Sequence, residues 1–230
     1  MSIDTKPRLA IVPARGGSKR IKRKNIRHFN GVPIIIRTLE TIKNSGLFGT
    51  IHVSTEDKEI FNLVESAGFP PGFLRPTELA DDHTPVADVL IDVVNKTCSS
   101  NAFGSIALIF PTAVFLTSNI LSKAMTKFES LPIGSEMVSV SQFPVPVEWC
   151  YRRSAGGELF AREPDKLMQR SQDLENSFYE SGQFVFYDQV TIGSMIAGKK
   201  QTRLFGFEME GHVVDIDTEV DWRLAENLLA

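Results

Sequence analysis

Leu9-Ala10-Ile11-Val12-Pro13-Ala14-Arg15-Gly16-Gly17-Ser18-Lys19-Arg20 is the stretch from which the rest of the chain can be read. Its first four residues are an uninterrupted apolar run closed by a proline. Such a run suits a strand buried on both faces, as in a parallel sheet. The chain then changes abruptly to glycine and cations. Gly16 and Gly17 let the backbone turn tightly and aim N–H groups at an anion, and Arg15 and Lys19 add positive charge beside it. The spacing is neither GxxxxGK[ST] nor GxGxxG, so neither of those nucleotide loops is present. Arg15, Lys19, Arg20, Lys22, Arg23, Lys24 and Arg27 fall within thirteen residues. A solvated basic face is the bland account of such a run. A chain of phosphates is the better one, because each point charge can meet a different phosphoryl group. The phosphate-binding candidates are Ala14, Arg15, Gly16, Gly17, Ser18 and Lys19.

Outward from this stretch, helix and strand patterns alternate. Pro33 to Ile42 has helical spacing, with Pro33 near its start and Gly46 just past its end. Thr50 to Ser54 reads as a strand and Lys58 to Ala67 as a helix stopped by Gly68. Thr84 to Thr97 reads as a helix, Ile106 to Phe110 as a strand, Asn119 to Phe128 as a helix and Met137 to Val140 as a strand. After Ser141 the pattern breaks. Residues 142 to 181 hold Pro144, Pro146, Trp149, Tyr151, Gly156, Gly157 and Pro164. They form either an inserted arm whose aromatics cover a partner subunit or a long active-site loop. A strand at Gln183 to Phe186, a helix at Gln189 to Ala197, a strand around Leu204 to Phe207 and a helix from about Val220 complete the chain. This predicts one α/β domain over residues 1 to 230, with a mostly parallel sheet flanked by helices. Ligands then sit beyond the carboxyl ends of the strands, which puts the loop after Val12 at the binding edge.

Bulk properties narrow the function classes. The 230 residues are 42% hydrophobic and 23% charged, ordinary for a soluble domain that needs no disulfide or metal staple. A net charge of −3 rules out a whole-protein basic field for nucleic acid. Cys98 and Cys150 have no metal-binding spacing and read as free thiols in a reducing compartment. The segment MSIDTKPR lacks the apolar centre of a signal peptide, and the apolar run Ser105 to Leu116 is too short to span a membrane. A cytoplasmic protein with no membrane or nucleic-acid partner is expected.

Further polar segments could carry chemistry. In Val213-Val214-Asp215-Ile216-Asp217-Thr218, the two aspartates would point to one face of a strand. Paired carboxylates repel unless a cation sits between them, and Mg²⁺ takes one or two carboxylates with substrate phosphates completing its shell. Asp217 or Thr218 could instead cap the last helix. In Arg75-Pro76-Thr77-Glu78-Leu79-Ala80-Asp81-Asp82-His83-Thr84, Thr84 could cap the next helix or its neighbourhood could hold a nucleobase; the cap is preferred on spacing. Gln169-Arg170-Ser171-Gln172-Asp173 and Gly182-Gln183-Phe184-Val185-Phe186 offer amides and an aromatic strand to a sugar. Ordinary loop and core strand is the simpler account of both.

Taken in order, these segments resemble the cytidylyltransferases that activate nonulosonic acids: the CMP-sialic acid synthetases and their pseudaminic and legionaminic relatives. The resemblance rests on Ala10 to Arg20 with Lys24-Asn25, on Arg75-Pro76-x-x-Leu79 and on Asp215-Ile216-Asp217-Thr218. It implies a Rossmann-like domain, a dimerisation arm at 142 to 181, CTP as donor, a nine-carbon sugar acid as acceptor and Mg²⁺ as cofactor. It assigns Arg15, Lys19, Lys24 and Asn25 to the triphosphate, Arg75 and the backbone near Thr84 to cytidine, and Asp215 and Asp217 to the metal. Arg170, Gln172, Asp173, Gln183 and Phe184 become the sugar candidates, with Arg170 for its carboxylate. Ser171 and the Phe110-Pro111-Thr112-Ala113-Val114 run depart from the sialic acid pattern, so the pseudaminic branch is the nearer one. The implied reaction is an in-line displacement, in which Lys19, Arg15 and Lys24 stabilise phosphoryl charge and Mg²⁺ on Asp215 and Asp217 bridges phosphate oxygens. The rival from another class is a module that binds CTP without catalysis; the pair of aspartates argues against it.

Overall fold

The computed structural model describes residues 7–97, 103–199 and 203–230. Strand β1 (Arg8–Pro13) lies second from one edge of a six-stranded sheet. Period-two alternation sends its side chains to opposite faces. Ala10 and Val12 join a core with helices α1 (Ile34–Ser45), α2 (Lys58–Ser66) and α4 (Ser118–Glu129). Leu9 and Ile11 join a second core with α3 (Val86–Thr97) and Ile192 of α5 (Gln189–Ile196). Helices thus cover both faces, the expected three-layer arrangement.

A two-stranded hairpin, β2 (His28–Phe29) with β3 (Val32–Pro33), precedes α1. Its turn, Asn30-Gly31, has positive φ at both residues (46° and 84°), which the Asn-Gly pair tolerates. The remaining sheet strands are β4 (Thr50–Ser54), β5 (Ser105–Ile109), β6 (Ser135–Gln142), β9 (Phe178–Asp188) and β10 (Arg203–Glu208), in the order β10-β6-β9-β5-β1-β4. All neighbours run parallel except β9, which is antiparallel to both β5 and β6. The start of β9 therefore lies at the same edge as the ends of the parallel strands. Between β6 and β9 the chain makes an excursion, carrying a small exposed hairpin, β7 (Tyr151–Arg153) with β8 (Leu159–Ala161). Cys150 is exposed and free, while Cys98 lies outside the described residues.

The helix starts follow their caps. Asp57, Thr117 and Asp188 accept backbone N–H groups at the starts of α2, α4 and α5. Thr218 caps the last helix, α6 (Glu219–Leu228), in a reciprocal capping box with Asp221. Thr84 is not a cap: α3 starts at Val86, and the Thr84 hydroxyl donates to Asp81 Oδ1 at 2.7 Å. The expected strand through Asp215 and Asp217 is also corrected. Residues 212 to 217 lie outside any ladder, although Ile216 is fully buried between the two acids.

A third apolar cluster positions the site. Ile21 from the basic loop, Ile216 from the acidic segment, Phe29, Ile34, Val114 and Trp222 pack together. Each polar segment carries one buried isoleucine, and burying a side chain of that size contributes about 2 kcal/mol. The cluster ties loop 14–27 to segment 213–217 at the carboxyl edge of the sheet.

Candidate active site

The basic loop leaves β1 at Pro13 and lines a cleft at the carboxyl edge of the sheet. Its cations divide into two groups. Arg23, in the left-handed region at φ 55°, is bound to Asp57 at 2.5 and 3.1 Å and to Glu59 at 2.6 Å. The hydrogen bond from Arg23 holds the Asp57 carboxyl below its usual pKa. Arg27 pairs with Glu219 at 2.6 Å and lies 4.5 Å from the Trp222 ring centroid. These two arginines fasten the loop to α2 and α6. Arg15, Lys19, Arg20 and Lys24 face the cleft instead. Lys24 Nζ donates to the Ile216 carbonyl at 2.8 Å and to Asp217 at 3.2 Å, and Arg20 meets Asp217 at 2.9 Å. Arg15 and Lys19 both reach Asp82.

The loop backbone corrects part of the sequence reading. Ala14 is fully buried, and its N–H donates to the Ser54 carbonyl at 2.8 Å, extending the β1–β4 pairing. The Gly16 N–H donates to Glu56 Oε1 at 2.7 Å. Neither N–H is free for phosphate. Glycine is required at position 16 because a Cβ there would enter the Asp57 carboxylate. Gly17 does have open space around it, and Ser18 lines the cleft. Asn25 is buried, and its amide donates to the Arg15 carbonyl at 2.9 Å, which fixes the loop's curvature.

Arg75 forms another wall of the cleft and is 6% exposed. Its guanidinium donates to Ser54 Oγ at 3.0 Å and the Ser54 carbonyl at 2.5 Å, with no carboxylate paired to it among the described residues. Burial pushes its pKa down, and the nearby Arg15 charge acts the same way while Glu56 opposes it. A buried guanidinium held only by neutral acceptors suits a neutral, carbonyl-bearing ligand such as a base edge. Thr84 also lines the cleft.

Asp217 lines the cleft, whereas Asp215 stands beside it against Gly182. Burial by its surroundings raises the Asp215 pKa, and the Asp217 charge raises it further. Asp215 has no hydrogen bond or ion pair among the described residues. No group of three or more metal-ligating side chains exists among the described residues. The two aspartates fit a hard divalent ion only if other oxygens, such as phosphates, complete its shell.

The sugar candidates separate. Phe184 is a correction: it is 1% exposed and stacks on Phe186 at 4.4 Å within the core, because alternation along β9 turns both rings inward. Arg170 pairs with Asp173 at 2.8 and 3.1 Å, and both are exposed with Gln172 on the arm, away from the cleft lining. Gln183 lies on the opposite face of β9 from Phe184. Its carbonyl accepts from Phe110 N–H at 3.1 Å, and Phe110 lines the cleft. Gln183 Oε1, Ser181 Oγ and Ser141 Oγ are buried without hydrogen-bond partners among the described residues. Buried polar atoms of this kind are uncommon; Ser181 and Gln183 sit where β6 and β9 shift register, and Ser141 is one rung beyond. The sequence reading missed both serines, as well as Glu56, Asp57 and Asp82; a serine in a strand or an acid in a turn gives no signal until the fold brings it to the edge.

This is a nucleotidyltransferase-type fold with a cationic cleft at its carboxyl edge. A cytidylyltransferase family model matches residues 9–210, and the chain belongs to that family. It is 31% identical over 179 residues to the pseudaminic acid cytidylyltransferase of Campylobacter jejuni, covering 77% of each chain. It is 30% identical over 231 residues to the CMP-N,N'-diacetyllegionaminic acid synthase of Legionella pneumophila, covering 96% of this chain and 95% of that one. In fold it is similar to a solved CMP:2-keto-3-deoxy-manno-octonic acid synthetase complexed with CTP, with TM-score 0.74 at 14% identity over 97% of this chain and 98% of that one.

Proposed function

We propose that this cytidylyltransferase joins CMP from CTP to a nonulosonic acid, pseudaminic acid foremost, and releases pyrophosphate. The observation that carries the reading is the convergence of Arg15, Lys19, Arg20, Lys24 and buried Arg75 on one cleft, with Asp217 opposite the loop cations. Four cations suit a triphosphate, and the buried guanidinium suits the base. The acceptor's anomeric hydroxyl attacks the α-phosphorus; the new O–P bond forms as the bond to pyrophosphate breaks, and the hydroxyl proton is lost. Arg15, Lys19 and Lys24 stabilise the charge that builds on the phosphoryl groups. Lys24 is held in place by the Ile216 carbonyl and Asn25 keeps Arg15 on its arc, so alignment precedes reaction. Asp215 and Asp217 would hold Mg²⁺, which supplies neutralisation of phosphate oxygens when bound.

The acceptor side is assigned to the edge of β6 and β9, where Gln183, Ser141 and Ser181 offer unpartnered polar atoms, and Arg170 on the arm is the candidate for the sugar carboxylate. The arm also carries exposed Phe143, Val145, Tyr151, Leu159, Phe160 and Met168. Apolar surface gathered on one excursion supports a homodimer through the arm. A chain lacking residues 145 to 165 is expected to run as a monomer on sizing, and a surviving dimer would move the interface elsewhere.

Pyrophosphate release from CTP and Mg²⁺, measured across pseudaminic, legionaminic and sialic acids, tests the reading. Pseudaminic acid is expected to give the strongest signal. The legionaminic alternative has its own support in the relative that spans 96% of the chain, and a legionaminic signal would replace the acceptor. CTP binding without pyrophosphate release from any acid would reduce the protein to a binding module.

A further inference from the structure

Asp82 stands in the cleft where a substrate anion is expected. Its Oδ1 accepts from Arg15 Nη1 at 2.8 Å, and its Oδ2 accepts from Lys19 Nζ. Arg15 also donates to the Asp81 carbonyl at 3.0 Å. Asp82 comes from the turn before α3, across the cleft from the loop, and Arg15, Lys19, Asp81 and Asp82 all line that cleft. The turn is a built one. Asp81 Oδ1 accepts from the His83 N–H at 2.9 Å, the Thr84 N–H at 2.6 Å and the Thr84 hydroxyl. Asp82 is thereby presented to the loop by a local hydrogen-bond network that does not involve the cations.

We propose that Asp82 is an internal competitor for the polyphosphate site. It releases Arg15 and Lys19 to phosphoryl oxygens when the nucleotide enters, and reclaims them as pyrophosphate leaves. The inference rests on the cytidylyl-transfer reading and adds to it the residue that keeps product from being trapped. A site with four free cations would hold pyrophosphate tightly. A tethered carboxylate that takes back two of them weakens that hold without preventing a triphosphate, with its additional charge and its base, from entering. Asp82 acts through Arg15 and Lys19, so it is a positioning residue. Asp217 binds Arg20 and Lys24 in the same manner, but it also belongs to the candidate metal pair, whereas the Asp82 carboxylate pairs, among the described residues, with cations of the loop alone.

The test is calorimetric titration of pyrophosphate into wild type, Asp82→Asn and Asp82→Glu. Exposed ion pairs each shift an equilibrium by up to roughly fivefold, so removing both should tighten pyrophosphate binding about tenfold. Product inhibition by pyrophosphate should sharpen by the same factor, and Asp82→Glu should stay near wild type. The direction is decisive, because loss of a merely structural contact would loosen the loop and weaken binding. Equal or weaker binding by Asp82→Asn overturns the proposal alone. Absence of pyrophosphate binding by wild type and variant alike overturns the cytidylyl-transfer reading of the cleft, and this inference with it.

Discussion

Gly182→Ala is the substitution whose consequence can be worked out most fully. Gly182 has φ +67°, where an L residue is strained. Placing alanine there costs about 1–2 kcal/mol from backbone geometry alone. A Cβ would also stand 2.6 Å from Asp215 Cγ and Oδ1, closer than real contacts allow. The Asp215 side chain must rotate away, which adds about 1 kcal/mol if it leaves its rotamer well. The sum, about 2–3 kcal/mol, should lower the thermal midpoint of a chain this size by roughly 5–10 °C. The carboxylate that moves is one of the candidate Mg²⁺ ligands, so the Mg²⁺ activation curve should shift to higher concentration as well. Thermal unfolding followed by circular dichroism and an Mg²⁺ titration of pyrophosphate release are the assays. Gly17→Ala is the thermal control, with no atom within 4 Å of its Cβ and no positive φ; its midpoint should move little. A midpoint that falls by only the backbone share, about 2–4 °C, would show that Asp215 does not pack on Gly182, and a midpoint within a degree of wild type would refute the whole reasoning.

Asp217→Asn removes a charge shared by Arg20, Lys24 and the candidate ion; activity should fall by about two orders of magnitude, the scale of losing one partner of developing charge, and full activity at ordinary Mg²⁺ would dispose of the metal pair. His52 is 3% exposed on β4 and stacks on Phe73 at 4.3 Å, and burial lowers its pKa to about 4. The unfolded chain binds that proton near pH 6.5 and the native one only near 4, so stability is full above 6.5 and falls through this window, by about 3 kcal/mol in all. Urea unfolding of His52→Phe at pH 7.5 and 5 should show a smaller acid loss than wild type by about 2 kcal/mol; identical losses would mean that His52 is protonated in the fold.

Much of the architecture was legible in the sequence because burial on both faces leaves an unmistakable mark. Leu9 to Val12, Thr50 to Ser54 and Ile106 to Phe110 became strands within a residue or two of their expected limits. Direction was not legible: nothing in Gln183 to Phe186 says that β9 runs against its neighbours, and with its first three residues exposed, the strand's extension back to Phe178 gave no continuous apolar signal. In the site, seven cations looked equivalent until folding supplied partners. Asp57, Glu59 and Glu219 are far from the loop in sequence, yet they turn Arg23 and Arg27 into fasteners. Phe184 was misread because a ring suits a sugar and a core equally, and only its face on the sheet decides. The isoleucines at 21 and 216 were the available clue to the loop's anchoring, each an apolar residue flanked on both sides by charged ones.

The excursion between β6 and β9 begins and ends on one rung of the ladder. Gln142 faces Phe178, and the Phe143 N–H donates to the Ser177 carbonyl at 2.9 Å. A segment whose ends are clamped together can change length at small cost, about 0.6 kcal/mol for each doubling. The sheet's register is set by rungs inside the clamp, from Met137–Phe186 onward. The arm is therefore a detachable module in the mechanical sense. Insertions, deletions or grafts within it can diversify whatever it touches, while the strand and loop that line the cationic cleft are inherited unaltered.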